Sequence, residues 1–280
     1  QAAYDQIRRS LERLRTDHVD NIHLHALASL EDVETRLGPG GALAALIRAR
    51  EQGLTRFIGC TAHRWDLLLA ALQRFPFDLI LVPMNLVERG PLDALIPYCR
   101  QHGVGVTVMK PVATGLLPGR LALRWLRAQP IDVAVPGVST LAEVEENLSA
   151  GEGEAALTPE EERQVEALRA QWDRRRCRMC GECLPCPVGI PIDMHLGTDM
   201  MYDHHRAMGP QGFRAHPWGR AGIEGDVRTR RERVAAIEAC TRCGECTRRC
   251  PYGLPVMEMI LALLPGMRDL LAYELEWLDS

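Results

Sequence analysis

Eight of the ten cysteines in this 280-residue chain fall within residues 177–250, and they are grouped in two tight runs. The first is Cys177-Arg-Met-Cys180-Gly-Glu-Cys183-Leu-Pro-Cys186-Pro187; the second is Cys240-Thr-Arg-Cys243-Gly-Glu-Cys246-Thr-Arg-Arg-Cys250-Pro251. A disulfide framework spreads cysteines through a small secreted chain, whereas gaps of two and three residues put thiolates on one loop, where they ligate metal. Three thiolates wrapped on a tight loop reach three corners of an Fe4S4 cube, and the fourth corner takes a ligand from further away. Two such runs therefore predict two [4Fe-4S] clusters. Zinc is the main competitor, but it needs only two C-x2-C hooks per ion, and a third cysteine at the same spacing, twice over, favours clusters.

In the bacterial two-cluster ferredoxin pattern the fourth cysteine of each run serves the other cluster. By that pattern Cys177, Cys180 and Cys183 share a centre with Cys250, and Cys240, Cys243 and Cys246 share one with Cys186. The first run has two residues before its fourth cysteine where the pattern has three, so Cys186 closing its own cluster remains the alternative. Gly181 and Gly244 occupy matching places, where the backbone must turn near sulfide without a Cβ in the way. Arg174, Arg175, Arg176 and Arg178 beside the first run, with Arg242, Arg248 and Arg249 in the second, would offset cluster charge or simply form a solvated face. Cys60 and Cys99 lie apart and read as single buried thiols.

Upstream of the cysteines, short apolar runs alternate with amphipathic ones from residue 20 to about 150, the signature of βα units on a parallel sheet. Five strands are predicted, at 20–26, 55–60, 78–83, 104–110 and 132–136, with helices at 41–52, 65–74, 91–102, 119–129 and 140–149. Residues 1–16 form a further helix, because Ile7, Leu11 and Leu14 recur on one face. A barrel of this kind closes with eight strands, so five units read as part of one, and about three upstream units would supply the deficit. The fold class is thus α/β, a partial (β/α)8 barrel over residues 1–155, followed by a mainly helical ferredoxin-like module over 156–280. Gly151 and Gly153 loosen the junction. Thr158-Pro159-Glu160-Glu161 then starts a helix with a capping box and proline at its first position, running to about Trp172. Residues 208–226 are expected to be irregular, and Pro255–Leu278 helical.

Composition narrows the function. No apolar run reaches the length of about 18 residues that a membrane span needs, and the N-terminus is polar and amphipathic rather than a signal peptide, which gives a cytoplasmic expectation. A formal net charge of −4 with mixed signs leaves no broad basic surface for nucleic acid. Lys110 is the only lysine.

In the first strand His23 and His25 alternate with Ile22 and Leu24, so both histidines point to one face, the barrel interior if helices cover the other. Active sites of such barrels lie at the carboxyl ends of the strands. Five segments, Val19-Asp-Asn-Ile-His-Leu-His25, Arg56-Phe-Ile-Gly-Cys-Thr61-Ala-His63, Met84-Asn85-Leu86, Met109-Lys110-Pro111 and Val135-Pro136-Gly137-Val138-Ser139, in this order resemble strands four to eight of an aldo/keto reductase. More narrowly, the chain resembles the subgroup that carries a ferredoxin-type domain after the barrel.

The resemblance implies a nicotinamide-dependent oxidoreductase acting on a small carbonyl or alcohol. His25 matches the family's catalytic histidine, which polarises the carbonyl as the alkoxide develops. The family's tyrosine, lysine and aspartate would lie on upstream strands, so residues 1–280 alone are not expected to catalyse the reaction. For NAD(P)H, Thr61 and Asn85 match residues that hold the carboxamide, and Ser139 to Asn147 matches the phosphate and adenosine segment, with Thr140 and Glu143 capping its helix. His63 and Lys110 fit the iron-sulfur subgroup's versions of their segments, Lys110 on the cofactor side. Met109, Leu81 and the absence of a basic residue after Gly137 depart from the family pattern and leave the choice of NAD or NADP open. Hydride moves two electrons and a [4Fe-4S] centre one, so the clusters are expected to exchange electrons with an external partner. The alternative is a non-catalytic electron-transfer or scaffold protein on a degenerate barrel.

Overall fold

The structure, a computed structural model, describes residues 1–173, 175–197, 209 and 223–278. It divides into two compact units, Gln1–Ala170 and Gln171–Ser280, each with its own core.

In the first unit α1 (Ala2–Leu14) leads into β1 (Val19–Leu27), α2 (Leu30–Leu37), α3 (Ala42–Glu51), β2 (Thr55–Ala62), α4 (Trp65–Leu72) and β3 (Leu79–Pro83). There follow α5 (Leu95–His102), β4 (Gly105–Met109), α6 (Gly119–Arg127), β5 (Val133–Val135), α7 (Leu141–Ser149) and α8 (Pro159–Trp172). The five strands form one sheet in sequential order, every neighbouring pair parallel. This is a section of barrel wall, as the alternation of apolar and amphipathic runs predicts. Alternate residues decide which side is covered. Ile58, Cys60, Ile80, Val82, Val106 and Val108 are fully buried, together with Leu67, Leu68, Leu95 and Ile96 of the helices. Each such aliphatic side chain contributes about 1.5–3 kcal/mol by leaving water. Helices therefore cover the aliphatic face, and the histidine-bearing face of β1 is the other one.

One helix was not expected. The periodicity places the first crossover helix at 41–52, yet α2 precedes it, started by Ser29, whose hydroxyl accepts from the Asp32 amide at 3.0 Å. The signal was a serine N-cap with Glu31 and Asp32 in the first turn. Cys60 and Cys99 are buried free thiols. Burial pushes Cys99 up to about 11 and Cys60 higher still, so both pack as inert apolar groups.

The capping box at α8 forms: the Glu161 amide donates to Thr158 Oγ1 at 3.2 Å, and the Thr158 amide donates to Glu161 Oε2 at 2.9 Å. Arg124, on α6 and 6% exposed, fastens the segment before it. Its guanidinium donates to both Glu161 oxygens, at 2.5 and 3.0 Å, and to the carbonyls of Glu152, Glu154 and Ala156 at 3.4, 3.1 and 3.0 Å.

The second unit contains α9 (Ile192–Gly197), α10 (Ile223–Glu238), α11 (Glu245–Arg249) and α12 (Val256–Leu278) among its described residues. The helical tail agrees with expectation. Residues 223–226, expected to be irregular, instead open α10; residues 208 and 210–222 lie outside the described residues. Ile190, Ile192, Leu196, Val234, Ile237, Leu254, Ile260 and Leu270 form the core, and Cys177, Cys186, Cys240, Cys246 and Cys250 pack against it. Glu274, 1% exposed, is neutralised by Arg230, whose Nε lies 2.9 and 2.8 Å from its two oxygens and ties α10 to α12. No described helix is long and apolar enough to cross a membrane.

Candidate functional site

The carboxyl ends of β1 to β4 gather one set of polar groups. Near the end of β1 the pairing with β2 shifts register between Leu24 and Leu27, and Ala26 adopts left-handed backbone at φ 55. A bulge of this kind re-aims side chains and leaves an amide without a ladder partner. Here the Ala26 amide donates to Thr61 Oγ1 at 2.7 Å. His25, just before the bulge, is exposed, and its carbonyl accepts from Arg36 Nη1 at 2.8 Å. His23 is half-buried, with Nε2 2.6 Å from Asn21 Nδ2, and it lies over Gly59, where a Cβ would come within 3.1 Å of the ring. Burial first, then His25, lowers the His23 pKa.

His63, on the loop after β2, is lowered by burial, then by Lys110 and His25, and raised by Glu88. Glu88 and Lys110 meet at Asn85, whose side chain bonds the carboxylate of one and the carbonyl of the other, and the charges of both act on His63. Asn85 sits beneath them, 0% exposed. Its Oδ1 accepts from the Val87 and Glu88 amides, both at 2.9 Å, and its Nδ2 donates to Glu88 Oε2 at 2.6 Å and to the Lys110 carbonyl at 3.3 Å. An amide side chain has two donor protons and two acceptor lone pairs, and all four are engaged. Asn85 thus joins the end of β3 to Lys110, itself in left-handed backbone at φ 55. A nicotinamide carboxamide at this position would have to displace Glu88. Thr61 is differently placed, because its hydroxyl accepts from Ala26 and still has a proton to donate.

The remaining candidates of the barrel half, Ser139, Thr140 and Asn147, lie after β5. Thr140 caps α7 in a full capping box with Glu143. Glu143 Oε2 accepts from the Ser139 and Thr140 amides at 2.5 and 3.2 Å, so a carboxylate occupies two of the donors that a phosphate would use. Glu146, on the same helix, accepts from the Arg120 amide at 3.0 Å, and Asn147 Oδ1 lies 3.2 Å from where a Cβ on Gly119 would stand.

In the second unit the two cysteine runs adopt the same backbone curl. Met179 and Gly181 in the first, and Arg242 and Gly244 in the second, have φ of 51, 78, 56 and 74. Left-handed residues at matching places turn successive amides inward, the concavity that binds anions. The Met179 amide already points at Cys177 Sγ, 3.3 Å away. The glycines were legible in the sequence; Met179 and Arg242, which carry a Cβ, were not. One cavity is lined by Cys183, Cys186, Cys240, Cys243 and Cys246, backed by Ile190, Ile192 and Ile260. Cys177 feels the charges of Cys180 and Cys250; Cys183 feels Cys177 and Cys180; Cys246 feels Cys186. By geometry, Cys186 lines the same cavity as Cys240, Cys243 and Cys246, and Cys183 borders it too. Among the described residues no three His, Cys, Asp or Glu side chains converge as a single-ion site does. Burial pushes Cys177 up to about 11 and Cys183 to about 12, and a bound metal centre takes such thiols as thiolates. The residues present fit an anionic cluster: several thiols per site, inward amides, and an apolar backing. Of the neighbouring arginines, Arg178 donates to Asp173 Oδ1 at 2.8 Å and lies 5.3 Å from the centre of the Tyr252 ring; Arg174 lies outside the described residues.

Comparison with known proteins agrees with this division. Residues 1–120 match the model of the Aldo/keto reductase family, and residues 176–254 match that of the 4Fe-4S dicluster domain. L-galactose dehydrogenase of Arabidopsis thaliana is 35% identical over 127 residues, covering 43% of this chain and 38% of that protein. NADH-specific methylglyoxal reductase of Escherichia coli is 28% identical over 117 residues, covering 42% and 35%. The chain thus spans little more than a third of either relative. Among solved structures, the holo form of aldo-keto reductase AKR11C1 from Bacillus halodurans superposes with a TM-score of 0.50 at 25% identity, covering 59% of this chain and 66% of that one.

Proposed function

We propose that this chain, an aldo/keto reductase domain followed by a 4Fe-4S dicluster domain, belongs to an oxidoreductase that couples carbonyl or alcohol chemistry at the barrel mouth to one-electron transfer through two [4Fe-4S] centres. The observation that carries this reading is that Cys186 of the first run lines one cavity with Cys240, Cys243 and Cys246 of the second, on two loops of matching curl; the crossed ferredoxin pattern would then give Cys250 to the centre of Cys177, Cys180 and Cys183. When bound, nicotinamide supplies hydride and the clusters supply single electrons. The chain's own residues do the rest. His25, exposed at the mouth, would donate a hydrogen bond to the substrate oxygen and stabilise the charge that develops there. Thr61 would donate its hydroxyl proton to the carboxamide while holding the bulge that aims His25. Asn85 would act through the Lys110 carbonyl, positioning the end of β4. Ser139, Thr140 and Asn147 would meet the cofactor's phosphate end once Glu143 swings off the amides. The substrate is a small carbonyl or alcohol, and the electrons pass to or from an external carrier.

The engagement of Asn85 by Glu88, and of the Ser139 and Thr140 amides by Glu143, favours a second reading, in which the barrel is a docking body and the clusters alone are functional. One experiment separates them. Full-length protein with intact clusters is reduced anaerobically with dithionite, freed of excess reductant, and mixed with NAD+ or NADP+. Reoxidation of both clusters, whose two electrons with one solvent proton give one reduced nicotinamide, supports the coupled oxidoreductase; with a carbonyl substrate added, two electrons and two protons give the alcohol, and His25→Gln is expected to lose that step. Clusters that never exchange electrons with nicotinamide or substrate support the carrier.

A further inference from the structure

Of the eight cysteines in the two runs, all of them described, Cys243 alone is exposed. Cys183 belongs to the apolar core, Cys177, Cys186, Cys240, Cys246 and Cys250 pack against it, and Cys180 is half-buried. Three arginines surround this corner. Arg242, immediately before Cys243, is exposed in left-handed backbone at φ 56. Arg248 donates to the Cys243 carbonyl at 3.1 Å, and its Nη1 lies 3.3 Å from where a Cβ on Gly244 would stand. Arg249 donates to the Pro185 carbonyl at 3.1 Å, beside Cys186. The side chains of Arg248 and Arg249 are 62% and 40% exposed; Glu245 pairs with both, the second at 3.8 Å. Three guanidinium groups against one carboxylate leave this corner positive in a chain whose net charge is negative.

We propose that the Cys243 corner is the electron port of the centre held by Cys240, Cys243, Cys246 and Cys186, and that Arg242, Arg248 and Arg249 form a docking surface for a small acidic electron-carrier protein. The inference rests on the iron-sulfur reading above. Electrons cross between proteins where a redox centre comes closest to the surface, and in this centre Cys240, Cys246 and Cys186 pack against the apolar core while Cys243 is exposed. A [4Fe-4S] cluster on four thiolates carries two negative charges when oxidised, which the three arginines and Glu245, +2 in sum, offset, so that an acidic carrier arriving at this corner meets exposed guanidinium groups rather than an uncompensated anion. The complementary charges steer encounter, an effect that salt weakens. In the exchange, an acidic flavodoxin in its anionic hydroquinone form gives up one electron and becomes the neutral semiquinone, while the oxidised cluster gains that electron; no proton moves.

The test uses full-length protein with intact clusters. Binding of oxidised acidic flavodoxin is measured by calorimetry, and cluster reduction by flavodoxin hydroquinone is followed by anaerobic stopped flow, both at low and high salt. Arg242→Asn suits the left-handed backbone and leaves the Arg248 and Arg249 hydrogen bonds in place; Arg248→Gln is the second variant. Each is expected to weaken binding and slow reduction about fivefold at low salt. Reduced methyl viologen, a small cation, should reduce wild type and both variants at similar rates, and a basic cytochrome c should not bind. Flavodoxin binding unchanged in both variants, insensitivity to salt, or equal binding of the cytochrome would overturn the docking surface. Failure of methyl viologen to reduce wild-type clusters would instead overturn the redox reading on which it rests.

Discussion

Replacing Arg124 by methionine keeps an unbranched apolar stem and removes the guanidinium with its five hydrogen bonds. Truncating one partner of a fully buried ion pair costs about 3–5 kcal/mol, because the other charge stays behind in a dry site. Glu161 would retain the Thr158 amide and Arg120 at 3.6 Å, and its side chain is 13% exposed, which brings that loss to about 2–3 kcal/mol. The carbonyls of Glu152, Glu154 and Ala156 can regain water at a cost of about 0.5 kcal/mol each. The sum, about 3.5–4.5 kcal/mol, corresponds to a fall of roughly 10–15 °C in the unfolding midpoint of a unit this size. The assay is thermal unfolding of the full chain followed by circular dichroism, with Arg163→Met as control. Arg163 and Glu160 form a pair 69% and 60% exposed, worth about 0–1 kcal/mol. The penalty should also depend on pH. Arg124 first, then the Thr158 amide, holds the Glu161 carboxyl at about 2. A depressed folded-state pKa stabilises fully above the ordinary carboxylate range, and the benefit is lost as pH falls toward 2. Wild type and Arg124→Met should therefore differ most above pH 5 and converge in acid. A midpoint within a degree or two of wild type, or an equal loss in the Arg163 control, would refute the reasoning.

Gly59→Ala would put a Cβ 2.9 Å from the Leu79 carbonyl and 3.1 Å from His23, and backbone on a paired strand cannot yield; a loss of about 1–3 kcal/mol is expected in the same unfolding assay. Lys110→Met should raise the His63 pKa and Glu88→Gln should lower it further, as read by NMR titration of the ring, because Lys110 depresses and Glu88 lifts it. As the folded His63 lies below its ordinary value, its neutral ring should cost the protein stability as pH falls through the histidine range. Cys186→Ser and Cys243→Ser should alter one EPR signal of the reduced protein, and Cys250→Ser and Cys177→Ser the other; Cys186→Ser sharing the Cys177→Ser signal would mean that each run closes its own cluster.

Much of this arrangement was legible in the sequence because its causes are local. Strand positions followed from the alternation that buries Ile58, Cys60, Ile80 and Val82, and the capping boxes at Thr140 and Thr158 formed from residues three apart. The cysteine runs announced their chemistry by spacing alone. What escaped was set by contacts distant in sequence. The bulge that aims His25 depends on a hydroxyl 35 residues later, and the four engagements of Asn85 include the Lys110 carbonyl, 25 residues on. Glu143 was read as a cap, yet its carboxylate also covers the amides a phosphate would want. Nothing in a single sequence marks Met179 or Arg242 as left-handed, since side chains there resist that conformation and only the loop's demand overrides them.

The central claim is that the two matched loops grip iron-sulfur cubes. Protein purified without oxygen and analysed for iron, acid-labile sulfide and zinc, with EPR after dithionite reduction, tests it directly. About eight irons and eight sulfides per chain, with two interacting reduced centres, are expected. Colourless protein that carries only zinc would contradict the account.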